Sequence, residues 1–133
     1  MEVVRQTFNK AERLRSRKLI EQVLRDGKYV SAGSLRMKWL ATELDSSSPA
    51  QIAITVSKKK FKRAVDRNRI KRLHREVYRK NKALLYKTLQ DHKKQLALLL
   101  IYYGNEMPVY DQVNKDLTLI LQKLEQVLLR SGQ

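Results

Sequence analysis

Between Ser57 and Lys82 the sequence gathers side chains that bind anions rather than break bonds. The segment holds 13 of the chain's 29 Lys and Arg and only two acids, Asp66 and Glu76. Like charges three and four residues apart on a helix repel one another. A run of one sign therefore calls for negative charge from outside the chain. Arginine suits phosphate, because its planar fork can bond two oxygens at once. Lys58, Lys59, Lys60, Lys62 and Arg63 are placed to touch phosphates, contacts that position a nucleic acid without reading its sequence. Asn68, between Arg67 and Arg69, can both donate and accept, so it could address a sugar or base edge. On spacing alone, an ordinary polar helix residue is the better reading of it.

Bond-breaking chemistry has no comparable support. There are two His and no Cys. His74 lies inside the basic run, where neighbouring cations disfavour its protonated form. His92 follows Asp91 in a polar connector. Neither His has metal-ligand spacing, and the acids are too scattered for a two-metal nuclease centre. The four Gly form no phosphate-cradling loop. No catalytic residue, metal site or protein-held cofactor is expected.

Each of these side chains needs an element to carry it. Ile70, Leu73 and Val77 recur at helical spacing, with Asp66 as the expected N-cap. Arg67, Arg69, Lys71, Arg72, Arg75 and Arg79 then occupy the other faces. Replacing Arg67 or Arg72 should spare the fold, because neither lies on that stripe. Upstream, Phe8 and Leu14 anchor an irregular basic arm. Ser16 and Gly27 bracket a helix over 17–26. A first strand begins at Tyr29–Val30. Residues 35–42 alternate, with Leu35, Met37 and Trp39 toward the core and Arg36, Lys38 and Leu40 opposite. Residues 51–57 alternate again after a polar loop, which suggests that these two strands pair antiparallel. Leu96–Tyr103 is continuously apolar, as a strand buried on both faces should be. Residues 111–130 carry the longest helical stripe, Val113 to Leu128. The order αβββαβα makes an α+β two-layer sandwich, a sheet of about four strands with helices packed on it.

At 133 residues the chain suits one domain, 1–133, able to bury about two-thirds of its unfolded surface. Its net charge of +16 points to a polyanionic partner. No apolar run is long enough to span a membrane, no signal-peptide core opens the chain, and there are no cysteines. These features fit a cytoplasmic protein.

The ordered string Lys58-Lys59, Arg67-Asn68-Arg69-Ile70-Lys71-Arg72 and Arg75-Glu76, with Arg13-Leu14 ahead of the first helix, resembles the bacterial ribonuclease P protein subunit. The resemblance runs from Arg13-Leu14 to the terminal helix. It implies a left-handed crossover around the basic helix, the reverse of the usual hand. It also implies a non-catalytic protein bound to a catalytic RNA subunit, which removes the 5′ leader of precursor tRNA with magnesium held chiefly by the RNA. On that resemblance Lys58, Lys59, Lys62, Arg63, Arg67, Asn68, Arg69, Lys71, Arg72 and Arg75 face the RNA subunit. Ile20, Leu24, Arg36, Lys38, Thr55 and Ser57 line a groove for the leader. Family members often place aromatic rings at the positions of Ile20, Leu24 and Lys38. Their absence here puts base stacking in doubt. A ribosomal protein or RNA chaperone would share the basic helix but not the ordered string. A nuclease with its own metal centre would need the missing carboxylate cluster.

Overall fold

A computed structural model of the chain describes residues 8–131. A short 3-10 turn (Lys10–Glu12) leads to α1 (Arg17–Asp26), β1 (Lys28–Ala32), β2 (Leu35–Ala41) and β3 (Ala50–Val56). Then come α2 (Ala64–Asn81), α3 (Ala83–Asp91), β4 (Leu96–Tyr102) and α4 (Tyr110–Ser131). The residues after the basic run form a helix of their own, α3, separated from α2 by Lys82 alone.

The four strands form one sheet in the order β1-β2-β4-β3. The sequence suggests a β2–β3 pair, but β4 lies between them, antiparallel to β2 and parallel to β3. The reason is burial. Every β4 residue except Ile101 is buried, so this strand takes the centre, and β2 and β3 flank it. Alternation fixes which way a side chain faces but not which strand lies next door.

Two cores sit on opposite sides of the sheet. Leu35, Met37 and Trp39 join Leu96, Leu98 and Leu100 on the face covered by α2 and α4. From α4 come Val113, Leu117, Ile120, Leu121, Leu124 and Leu128, the expected stripe. Burying each such aliphatic side chain stabilises by about 1.5–3 kcal/mol. The opposite face carries a smaller core of Leu14, Val23, Leu44, Ala97 and Leu99. Here α1 lies over β2 and β4. Its ends are set as the sequence predicts: Ser16 Oγ accepts from the Leu19 amide, and the Gly27 amide donates to Val23. A Cβ on Gly27 would stand 2.4 Å from the Val23 oxygen, so the close exit from α1 needs glycine.

The N-terminal arm is tied down at both ends of its described part. Phe8 packs edge-on against Tyr78, and the Leu14 amide donates to Ile52. Between them Glu12 closes a capping box with Asn9 and forms a buried ion pair with Lys82. That ammonium also lies over the Phe8 and Tyr86 rings.

Candidate nucleic-acid interface

The basic helix begins earlier than its sequence suggests. Asp66 is not the N-cap; Arg63 holds that position without a side-chain cap. Phe61 is buried among the core residues and pins the preceding loop, so helical bonds start at once, with Asp66 and Arg67 amides donating to the Arg63 carbonyl. Asp66 falls in the first turn, where its charge still favours the helix dipole.

The inner face of α2 is Ile70, His74, Val77 and Tyr78, all fully buried. Leu73 is only half-buried. His74 is therefore a core residue. Burial, rather than the neighbouring cations, holds its pKa below the ordinary histidine value, while the Ile70 carbonyl opposes the shift. Its Nδ1 lies 2.7 Å from that carbonyl.

Outward, Asn68, Arg69 and Arg72 stand exposed along one stripe with Val65. Lys71 and Arg75 lie half-buried on the flank facing the arm. There, with Arg13, Arg15 and Phe8, they line a cavity of about 200 Å³ against β3. Burial, then the Arg13 and Arg72 guanidiniums, pull Arg75 below the usual arginine pKa. The two acids of the segment are spent locally. Asp66 lies 3.8 Å from Arg63, while Glu76 pairs with Arg79 at 2.6 Å and Lys80 at 3.8 Å. Among the described residues Lys58, Lys59, Lys62, Arg69, Lys71, Arg72 and Arg75 form no ion pair. Such a surface holds unmatched positive charge that phosphates can neutralise.

Arg67 behaves differently from its neighbours. Its Nη1 donates to the carbonyls of Phe61 at 2.8 Å and Lys62 at 2.9 Å, so it braces the loop that presents the lysines. Arg67 and Arg72 are therefore not equivalent, contrary to the expectation from the stripe alone. Arg72→Ala should leave the melting temperature unchanged and weaken RNA association about tenfold, the order set by one charge-assisted hydrogen bond. Arg67→Ala should weaken RNA association and also cost about 1–3 kcal/mol of stability. Paired thermal melts and RNA titrations check both, and identical behaviour of the two variants would contradict the bracing role.

The second cluster lies on the sheet face that α1 half covers. β-Register places Lys38, Leu99 and Ala53 in one row and Arg36, Ile101 and Thr55 in the next. Ile20 is half-buried beneath α1, and Leu24 is 46% exposed at the rim. Lys38 Nζ donates to the Leu24 carbonyl at 3.1 Å, joining the strand to the end of α1. Thr55 is exposed. Ser57 Oγ accepts from the Lys59 and Lys60 amides, so its oxygen shapes the lysine turn. Trp39 is buried on the other face, as alternation predicts. The expected groove residues thus share one surface, and no strand carries an acid.

Two aromatic residues at this surface are read from the sequence only as strand residues, not as part of a site. Tyr29, directly opposite Lys38 on β1, and Tyr103, just past β4, lie on either side of Arg36. The signal for Tyr29 was its position in the first strand, but its facing depends on β1–β2 register. Tyr103 could be placed only once β4 was known to adjoin β2. Arg13 and Arg15 are likewise brought beside α2 by the arm, which carries no periodicity to reveal its path.

Among the described residues no group of three or more His, Cys, Asp or Glu could hold a metal ion, and no helix is long and apolar enough to cross a membrane.

Comparison with known proteins gives a consistent result. A family model described as Ribonuclease P matches residues 8–125. The ribonuclease P protein component of Porphyromonas gingivalis is 35% identical over 108 residues, covering 81% of this chain and 79% of that protein. That of Chlorobium phaeobacteroides is 33% identical over 129 residues, covering 89% and 88%. The Staphylococcus aureus RNase P protein structure superposes with a TM-score of 0.64 at 22% identity, over 86% of this chain and 96% of that one. The Thermotoga maritima RNase P protein gives 0.64 at 21% identity, over 84% and 96%. At such identities the structural likeness speaks to the fold.

Proposed function

The chain belongs to the ribonuclease P protein family, and from that we propose how its two cationic surfaces divide the work of tRNA 5′ processing. The outward stripe of α2 and the loop before it, Lys58, Lys59, Lys62, Arg63, Asn68, Arg69, Lys71, Arg72 and Arg75, dock on the ribonuclease P RNA, with Arg67 holding the loop in shape. The half-covered sheet face, with Ile20, Leu24, Arg36, Lys38, Thr55 and Ser57, holds the single-stranded 5′ leader of precursor tRNA. The RNA carries out hydrolysis with magnesium held chiefly by the RNA. The protein acts in the cytoplasm and adds binding energy that only the precursor can use.

One observation supports this reading above the others: among the described residues Lys58, Lys59, Lys62, Arg69, Lys71, Arg72 and Arg75 form no ion pair, the segment's two acids being taken up by Arg63, Arg79 and Lys80. A ribosomal or chaperone role would use the same helix, but it gives no reason for a second cationic face beside α1. The test is leader cleavage at low magnesium by protein alone, cognate RNA alone, and both. Cleavage that requires the RNA and rises with protein is the expected result. Cleavage by protein alone would refute the division of labour, and indifference to protein would refute the assisting role.

Lys38→Glu probes the second surface. Reversing the charge beside the Leu24 carbonyl should weaken precursor tRNA binding about tenfold and leave mature tRNA binding within twofold. Equal losses for the two RNAs would remove Lys38 from the leader path.

A further inference from the structure

We propose that Tyr29 and Tyr103, held by Arg36, form a stacking site for an unpaired base of the leader on the half-covered sheet face, beside Lys38. The proposal rests on the leader reading above and adds residues that reading did not contain. Arg36 places its guanidinium carbon 4.3 Å from the centroid of the Tyr29 ring and 5.2 Å from that of Tyr103. Its Nε is buried with no hydrogen-bond partner among the described residues. The guanidinium therefore serves to hold two rings. Cation–π contact fixes their position at low entropic cost.

Rings that only shielded Arg36 would themselves be covered. Instead Tyr29 is 55% exposed and Tyr103 44%. Both are anchored through the backbone. Tyr29 lies in the β1–β2 ladder. The Tyr103 amide donates to Ser34 at 2.8 Å, and its carbonyl accepts from Lys60 Nζ at 2.7 Å. That last bond ties the site to the lysine turn after β3. A strand of nucleic acid lying here meets Lys38 on one side, two rings in the middle, and Lys58 and Lys59 beyond. Alternating cations and exposed rings suit a single strand, whose bases stack while its phosphates are neutralised. A double helix, with its bases already stacked, gains nothing from the rings.

The consequence is specific to this chain. Aliphatic and cationic residues at positions 20, 24 and 38 do not remove stacking from the leader path. They move it across the sheet, so the base recognised lies at a different distance from the cleavage point.

The test uses the holoenzyme reconstituted with cognate RNA subunit and precursor tRNAs carrying 2-aminopurine at successive leader positions. Tyr29→Ala and Tyr103→Ala should each weaken precursor binding about five- to hundredfold, leave mature tRNA binding unchanged, and abolish fluorescence quenching at one leader position. Tyr29→Phe and Tyr103→Phe should bind as the wild type, because stacking needs the ring and not the hydroxyl. Thermal melts establish that the alanine variants are folded, and a phenylalanine variant as impaired as the alanine one overturns stacking. If Lys38→Glu discriminates precursor from mature tRNA but both alanine variants bind normally, this proposal falls and the groove stands. If neither Lys38→Glu nor the tyrosine variants separate the two RNAs, the leader reading itself falls.

Discussion

Glu12→Ala should destabilise the protein by about 3–5 kcal/mol, because it breaks a buried ion pair by removing the carboxylate that faces the Lys82 ammonium. Both members of this pair are almost wholly buried, Glu12 at 4% and Lys82 at 2% exposure. A small domain has about 5–15 kcal/mol of stability in all, so the loss is a large share. The same substitution also removes the carboxylate that accepts from the Asn9 amide. The pair joins the N-terminal arm to the junction of α2 and α3, and the arm in turn carries Arg13 and Arg15. Denaturant unfolding should therefore show a lower midpoint, and RNA association should fall with it. Replacing both partners, as in Glu12→Leu with Lys82→Met, should recover much of the stability, since buried ion pairs can be exchanged for apolar packing. A single variant with unchanged stability would contradict the burial argument, whereas a double variant as weak as the single would place the loss in the capping box.

Neutralising Lys59, Lys62, Arg69 and Arg72 together should flatten the salt dependence of RNA binding. Each phosphate neutralised contributes ~0.7–0.9 to the slope of log K against log salt. Loss of four such contacts should reduce that slope by about three. At low salt the affinity should fall by several orders of magnitude; at high salt the variants should converge on the wild type. All four side chains are exposed, so melting temperature should hold. An unchanged slope would mean that these cations face solvent in the complex.

What the sequence disclosed followed the physics of each element. Ser16, Gly27 and the stripe from Val113 to Leu128 are local signals, and the helices they mark stand where expected. The unbroken run at Leu96 indicated a doubly buried strand, and burial then made β4 central. Its neighbours were not legible, because strand pairing is a long-range choice that alternation does not encode. For His74 the direction of the shift was legible but its cause was not, for a related reason. Its surroundings in sequence are cations, but its surroundings in space are Tyr102, 5.3 Å away, and the apolar core. Arg36, Lys38 and Thr55 share a face because period-two alternation is reliable within a strand. Tyr29 and Tyr103 escaped notice because their meeting at Arg36 depends on register across three strands.

The place of β4 in the sheet also has a consequence for how the chain is made. The central strand is the last to be synthesised: β3 ends at Val56, but the strand that pairs it begins only at Leu96. At a translation rate of 5–20 residues per second, the interval lasts roughly 2–8 s. During it β2 and β3 each lack the neighbour that β4 will supply, and α2, made within the same interval, lacks α4, the other element it packs against besides β3. The nascent chain thus carries its most cationic helix before the sheet beneath it is complete. The sheet that positions that helix is complete only when residue 102 takes its place.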